Sequence, residues 1–168
     1  YQGVLTDPEA IKRWFQENST NYLIWHNGKF DVKFIKKALG LDVPISWDTM
    51  HAESLLPDRP ERLDLQTCVG KELGYPPWKS KEMYKDRGAS DLDSVAALNL
   101  TDVEYTYRLF KVQIDKIQKA GLSDFYLNNP LGLKALNFLS EVEYRGIGFN
   151  YEQMQKLWQQ NLAAHEQQ

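Results

Sequence analysis

The sequence predicts an α/β fold, in which helices alternate with short parallel strands. Two short predicted strands, residues 22–26 and 43–47, each lie between segments with the apolar spacing of amphipathic helices. Such an alternation favours parallel neighbouring strands, because the helix between them carries the chain back across the sheet. The 168 residues, 42% of them hydrophobic, are enough to bury a core.

Composition narrows the classes of protein to which the chain can belong. A net charge of −3 and a pI near 5.6 exclude a strongly basic protein that coats nucleic acid. They leave open an enzyme that meets nucleic acid through metal ions and a few lysines. The single cysteine, Cys68, cannot form an internal disulfide, and the three histidines lack the spacing of a zinc site. We therefore expect a reducing, intracellular setting and oxygen ligands for any metal.

Two further features concern the surroundings of the chain. No apolar run approaches the roughly 18 residues that a membrane span needs, so we expect no membrane partner. The sequence begins with Tyr1 rather than Met, and its last residues continue a helical pattern without a stop signal. These features predict a piece of a longer protein.

Start and stop signals place the helices of the first half. The sequence Asp7-Pro8-Glu9 combines a capping residue, a proline suited to the first turn and an acid, which predicts a helix over residues 8–17. A second helix is predicted from Asp31 to Gly40. Its lysines lie opposite its apolar stripe, and we interpret them as a solvated face in preference to one that follows a phosphate backbone. They are Lys33, Lys36 and Lys37.

The rest of the chain is predicted to be almost entirely helical. Terminal glycines and capping residues predict helices over residues 49–56, 63–73, 91–119, 131–144 and from 151 onward. The longest is introduced by a capping-box pattern that begins at Ser90, and the last by Asn150. Residues 122–130 are predicted to be a linker, because an Asn-Asn-Pro sequence breaks the helical pattern there.

Residues 75–88 form a stretch in which aromatic side chains interleave with bases. That mixture suits a single nucleic-acid strand, because rings can stack on nucleobases while lysine and arginine side chains meet phosphates. Acidic residues dilute the signal, and a surface loop without a ligand is the favoured interpretation.

Asp31 is the first of two isolated acids that are candidates for chemistry. A four-residue apolar run within the predicted strand 22–26 breaks at Asn27-Gly28, and Asp31 follows at the exit of the strand. Ligands and catalytic groups collect at the carboxyl ends of strands in open α/β sheets. The alternative is an ordinary turn with Asp31 as a helix cap, which this stretch taken alone favours.

Asp102 is the second isolated acid, and it interrupts the apolar stripe of the longest predicted helix. It lies three or four residues from Leu98 and Tyr105, so these side chains share one face of the helix. A charge on a buried face is unfavourable unless a metal or a positive group compensates it. We favour a role as a ligand, and a neighbouring lysine or arginine remains the alternative.

Three short motifs resemble, in order, those of a known family. NGKFD (27–31) and LNLTD (98–102), with WDTM (47–50) between them, resemble the second and third exonuclease motifs of the proofreading domain of family A DNA polymerases. The resemblance covers about residues 5–120. The tail, with Glu141, Arg145-Gly146-Ile147 and Asn150, is similar to the segment that leads into the polymerase region.

The resemblance implies a fold, a reaction and a set of site residues. The fold is a ribonuclease H-like mixed sheet flanked by helices, with an exonuclease-like domain over residues 1–122 and, over 123–168, a linker and the first helices of the polymerase. The reaction is hydrolysis of the terminal phosphodiester at a DNA 3′ end with two Mg²⁺ or Mn²⁺ ions. The DNA and the rest of the polymerase chain are the implied partners.

The same resemblance assigns roles to individual residues. Asp31 and Asp102 are the catalytic residues, as two of the four metal-binding acids, and Asn27 and Phe30 position the terminal nucleotide or the acid. Asp48 corresponds to a residue that shapes the sheet, so we do not include it among the metal ligands.

Two departures from the family pattern leave a second function open. The first motif, an Asp-x-Glu on an opening strand, has no counterpart in these residues, and Leu98 stands where the third motif has a tyrosine. Leucine can neither donate nor accept a proton, and the loss of such a group lowers a rate by about 10²- to 10⁴-fold. The alternative is an inactive domain that braces the polymerase or guides single-stranded DNA.

Overall fold

The computed structural model describes residues 7–79 and 92–165. Within these ranges the chain is mostly helical, with a small sheet of two parallel strands. The elements are α1 (Pro8–Glu17), β1 (Ile24–Trp25), α2 (Gly28–Leu39), β2 (Trp47–Asp48), α3 (Thr49–Leu55), α4 (Leu65–Leu73), α5 (Leu92–Lys119), α6 (Ser123–Asn128), α7 (Leu133–Arg145) and α8 (Tyr151–His165). Among the described helices, none combines the length and the apolar character that crossing a bilayer requires.

The two strands pair in parallel, as predicted, but each is shorter than predicted. Ile24 pairs with Trp47, and Trp25 pairs with Asp48. Ile45 does not continue the ladder, because its backbone bonds to α7: the Ile45 N–H donates to Asn137 Oδ1 at 2.9 Å, and Asn137 Nδ2 donates to the Ile45 carbonyl at 3.1 Å. The predicted strand over 43–47 is therefore wrong over most of its length, while the α/β class is confirmed.

The helix α2 begins at Gly28, three residues before the predicted start. Asn27 adopts the left-handed conformation, with φ 61° and ψ 43°, and the helix follows directly. Gly28 is buried, and a Cβ added there would lie 2.6 Å from Trp25 Cβ, so the β1–α2 turn requires glycine. Asp31 consequently lies in the first turn of α2 rather than capping it.

The main core combines side chains of β2 with side chains of α2, α3, α5, α6 and α7. Its buried members are Val32, Ile45, Trp47, Ala52, Leu56, Ile117, Tyr126 and Leu133. Tyr126 belongs to α6, so the predicted linker is wrong over residues 123–128, which form a helix that the core requires. The domain boundary placed at residue 122 stays a prediction.

The lysines of α2 tie this helix to α7. Lys29 and Lys33 contact the two carboxylate oxygens of Glu143 at 2.6 and 2.5 Å, and Lys36 Nζ lies 2.6 Å from Glu141 Oε2. The predicted solvated face is therefore wrong for Lys33 and Lys36, because their charges are compensated by acids of the neighbouring helix.

A buried ionic network lies where α3, α4 and α5 meet. Lys71 contacts Glu53 at 2.8 Å and Glu72 at 2.7 Å, while Lys116 contacts Glu72 at 2.7 Å. Glu53 is fully buried, and Gln113 Nε2 donates to its second oxygen at 2.8 Å. Burial disfavours the charge on Lys71, but hydrogen bonds with the surrounding carboxylates outweigh it and raise the pKa of this lysine.

Candidate functional site

Asp48 holds together the carboxyl ends of the two strands. Its carboxylate accepts hydrogen bonds from the N–H groups of Asn27 and Gly28 at 3.3 and 2.7 Å. It also accepts from Met50 and His51 at 2.9 and 3.0 Å, which caps α3. Because Asp48 is only 2% exposed and all four donors are backbone groups, the geometry gives it a structural role.

Tyr126 holds the same strand end through hydrogen bonds to the backbone of Asp48. Its hydroxyl accepts from the Asp48 N–H and donates to the Asp48 carbonyl, both at 2.9 Å. The ring packs on Trp47 with centroids 4.4 Å apart, and burial raises the pKa of the Tyr126 hydroxyl. Sequence reasoning missed this residue, although an aromatic between two apolar neighbours within a supposed linker was an available signal.

His26 connects the end of β1 to α3. The Thr49 hydroxyl donates to the Trp25 carbonyl at 3.1 Å, so at 2.9 Å it accepts from Nδ1–H of His26. Burial lowers the pKa of His26 from its ordinary 6.5, although the nearby Asp48 carboxylate opposes the shift. Burial also lowers the pKa of His51.

These histidines predict a stability that falls in mild acid. In the unfolded chain His26 has its ordinary pKa of 6.5, whereas in the folded protein its pKa is lower. The unfolded state therefore binds a proton more readily, and protonation favours unfolding. The stability that neutral His26 contributes is present above the unfolded pKa and is lost as the pH falls below it. We expect the free energy of unfolding to decrease between about pH 7.5 and about pH 5.5. His26→Asn, whose amide can still donate to Thr49, should reduce this slope in urea titrations. An unchanged slope would contradict the assignment.

Three predicted site residues lie exposed at the start of α2. Asp31 is exposed, and partial loss of solvent raises the pKa of its carboxyl group, to which the negative charge of Asp48 adds. Phe30 is 57% exposed, and its ring lies 4.7 Å from that of the equally exposed Phe34. The Asn27 side chain makes no capping hydrogen bond to α2.

Asp102 lies on α5, and both of its carboxylate oxygens have partners. Trp78 Nε1 donates to Oδ1 at 2.9 Å, and Lys79 Nζ donates to Oδ2. The structure therefore contains the basic neighbour that the sequence left as an alternative. Trp78 and Lys79 are held in turn by Gln66, whose Oε1 accepts from both backbone N–H groups at 2.9 and 2.8 Å.

The aromatic and basic stretch 75–88 is described only to residue 79. The Trp78 ring packs on Tyr105 at 4.5 Å, and Tyr75 stacks on the same ring at 5.2 Å. Two of the rings that the less favoured, nucleic-acid interpretation would use for stacking are thus packed against α5. The remaining bases of this stretch, and the capping box that begins at Ser90, lie outside the described residues.

The fold and these side chains define an α/β domain with an exposed carboxylate and an exposed aromatic ring after a parallel strand. The chain belongs to the 3′–5′ exonuclease family, whose family model matches residues 5–118. This match is consistent with the exonuclease domain of a family A DNA polymerase, and it confirms the resemblance drawn from the motifs. Comparisons with the curated proteins and with the solved structures gave no match.

Domains of this family generally use divalent metal ions, so the described residues can be compared with the ligands that such ions need. Within residues 7–79 and 92–165, no group of three or more His, Cys, Asp or Glu side chains is placed to hold a metal ion. Asp102 is already engaged by Lys79 and Trp78. The described side chains therefore do not by themselves form the metal centre that the family implies.

Proposed function

We propose that this chain is the 3′–5′ exonuclease domain of a DNA-directed DNA polymerase, which hydrolyses the terminal phosphodiester at a DNA 3′ end. The observation that carries the proposal is the family match over residues 5–118. The exposure of Asp31 in the first turn of α2, the helix that follows β1, supports it, because substrates of α/β enzymes reach the carboxyl ends of strands.

The residue roles follow from the motifs. Asp31 and Asp102 are the catalytic acids and supply two of the ligands for Mg²⁺ or Mn²⁺, while further donors complete the site. Asn27 and Phe30 bind the terminal nucleotide. The exposed Phe30 ring supports this role, because a nucleobase that stacks on an aromatic side chain contributes about 1–3 kcal/mol to binding.

The wider context is part of the same proposal. The two-stranded sheet is the described part of a ribonuclease H-like sheet, and residues 123–168 lead into the polymerase region. The DNA 3′ end and the rest of the polymerase are then the partners, and the domain works where DNA is replicated, in the cytoplasm or nucleoid.

Single substitutions of the two acids test this function. We expect Asp31→Ala and Asp102→Ala each to lower the rate of 3′ shortening of single-stranded DNA in Mg²⁺ by at least about 10²-fold, because lost metal ligation or orientation has effects of this size. The rate is followed on a 5′-labelled strand. Asp115→Ala, an exposed acid on the same helix, is the control and should leave the rate unchanged. Undiminished shortening in both variants would refute the assignment.

A second function is favoured by two observations at Asp102. Lys79 occupies one of its oxygens, and Leu98 stands where the family has a tyrosine. A domain with these features can bind single-stranded DNA, or brace the polymerase, without hydrolysing DNA. This function predicts salt-sensitive DNA binding with no Mg²⁺-dependent shortening, whereas robust shortening excludes it.

A further inference from the structure

We propose that Phe34 forms a second nucleobase-stacking position beside Phe30, so that α2 holds two consecutive nucleotides at the 3′ end of a single DNA strand. The inference rests on the proposed function in one respect, the binding of the terminal nucleotide at Phe30. It adds the penultimate nucleotide and the residue that contacts it.

Two exposed phenylalanine rings lie side by side on α2. Phe30 and Phe34 are each 57% exposed, their ring centroids are 4.7 Å apart and their planes are inclined by 45°. Residues four apart lie on the same side of a helix, so the two rings form one continuous apolar surface. Covering this surface with a ligand is favourable, because it removes apolar area from water.

The packing of α2 holds these rings outward. Val32, on the opposite side of the helix, is buried in the main core. Lys29 and Lys33 contact Glu143 of α7 at 2.6 and 2.5 Å. Because these contacts fix the orientation of the helix, the rings are in place before a ligand binds, and binding requires little ordering of the protein.

Charged side chains at the two ends of the ring pair give this surface a direction. Asp31 lies beside Phe30, Lys37 lies one turn beyond Phe34, and both charged side chains are exposed. Phosphate groups are repelled by a carboxylate and attracted by an ammonium group. Beyond its terminal nucleotide, the strand therefore passes over Phe34 toward Lys37.

The chemistry of the rings suits nucleobases of any identity. A phenylalanine side chain has no hydrogen-bonding group with which to read the edge of a base, whereas every base has a face that stacks on an aromatic ring. An exonuclease meets every base in turn as it shortens a strand, so contacts that do not depend on sequence suit its substrate. Phe34 should therefore contribute to binding whichever base is penultimate.

Equilibrium binding of single-stranded DNA to the full chain tests the second position. A strand labelled with fluorescein at its 5′ end is titrated in EDTA to prevent hydrolysis, and binding is followed by fluorescence anisotropy. We expect Phe34→Ala to weaken binding at least about fivefold, the lower end of the effect of losing one stacked base. Phe34→Trp should retain binding, because its ring still stacks. Phe138→Ala, which removes a phenylalanine of α7 that is 68% exposed, is the control and should have no effect.

A strand with an abasic site locates the contact. When the penultimate nucleotide lacks its base, Phe34→Ala should no longer weaken binding, because no base is left to stack on the ring. When the abasic site is moved well away from the 3′ end, the effect of Phe34→Ala should return. A merely structural role of Phe34 would weaken the binding of both strands equally.

The outcomes separate this inference from the proposed function. If the unmodified chain shortens single-stranded DNA while Phe34→Ala weakens the binding of no strand, or of all strands equally, the second position is refuted and the proposed function stands. The exposed rings would then belong to a contact with protein. If the unmodified chain neither binds nor shortens single-stranded DNA, the second position and the proposed function are both refuted.

Discussion

Lys71→Met is expected to lower the free energy of unfolding by about 3 kcal/mol, the lower end of the effect of breaking a buried ion pair. Lys71 contacts Glu53, which is fully buried, and Glu72, whose side chain is 1% exposed. Its removal leaves the Glu53 carboxylate with Gln113 as a neutral donor and no adjacent cation. Urea unfolding at neutral pH measures the loss.

Further variants test whether the loss of stability comes from the Lys71–Glu53 ion pair or from replacing any lysine with methionine. Lys37→Met, at an exposed position, should change the stability by less than about 0.5 kcal/mol. Glu53→Gln combined with Lys71→Met should recover part of the loss, because the uncompensated charge is removed. A double variant as unstable as the sum of the two single variants would show that the two residues do not interact.

Asp48→Ala is expected to destabilise the protein by about 3 kcal/mol, because it removes a helix cap and leaves buried N–H groups without an acceptor. The carboxylate accepts from four backbone N–H groups that join the β1–α2 turn to α3. Asp48→Asn should have a smaller effect, because the amide oxygen can accept some of these hydrogen bonds. Thermal or urea unfolding of the two variants gives the comparison.

The metal dependence of these variants distinguishes a structural role from a ligand role. If Asp48 is structural, the stability lost in Asp48→Ala is the same with and without Mg²⁺, because ligand binding adds stability only through groups that bind the ligand. A loss that appears only in Mg²⁺ would make Asp48 a metal ligand and contradict the structural assignment.

Helix positions could be predicted from local signals, because caps and glycines act within a few residues. Pro8–Glu17 matches its predicted bounds, and Gly74 ends α4 in the left-handed conformation that its sequence position predicts. The strands were less predictable, because their length depends on tertiary partners. Asn137 lies 92 residues from Ile45 and takes the hydrogen bonds that a longer β2 would have used.

In the candidate site, too, local features could be predicted from the sequence and long-range contacts could not. The position of Asp31 after an apolar run was available locally, and the structure places it exposed in the first turn of α2. The partner of Asp102 could not be predicted, because Lys79 lies 23 residues away and is placed beside Asp102 by tertiary contacts of its segment with Gln66 and Tyr105. The hydrogen bonds between Tyr126 and the Asp48 backbone join residues 78 positions apart, so no local sequence pattern indicates them.

The polarity of DNA degradation is the decisive measurement for the proposed 3′–5′ exonuclease function. Single-stranded DNA labelled at its 5′ end is incubated with the full chain in Mg²⁺ or Mn²⁺, with a free 3′ end or with a 3′ end blocked by phosphorothioate linkages. A 3′–5′ exonuclease produces a ladder of products shortened from the free 3′ end, and little shortening when that end is blocked. Shortening that begins at the 5′ end, or a blocked strand degraded as fast as a free one, would contradict it.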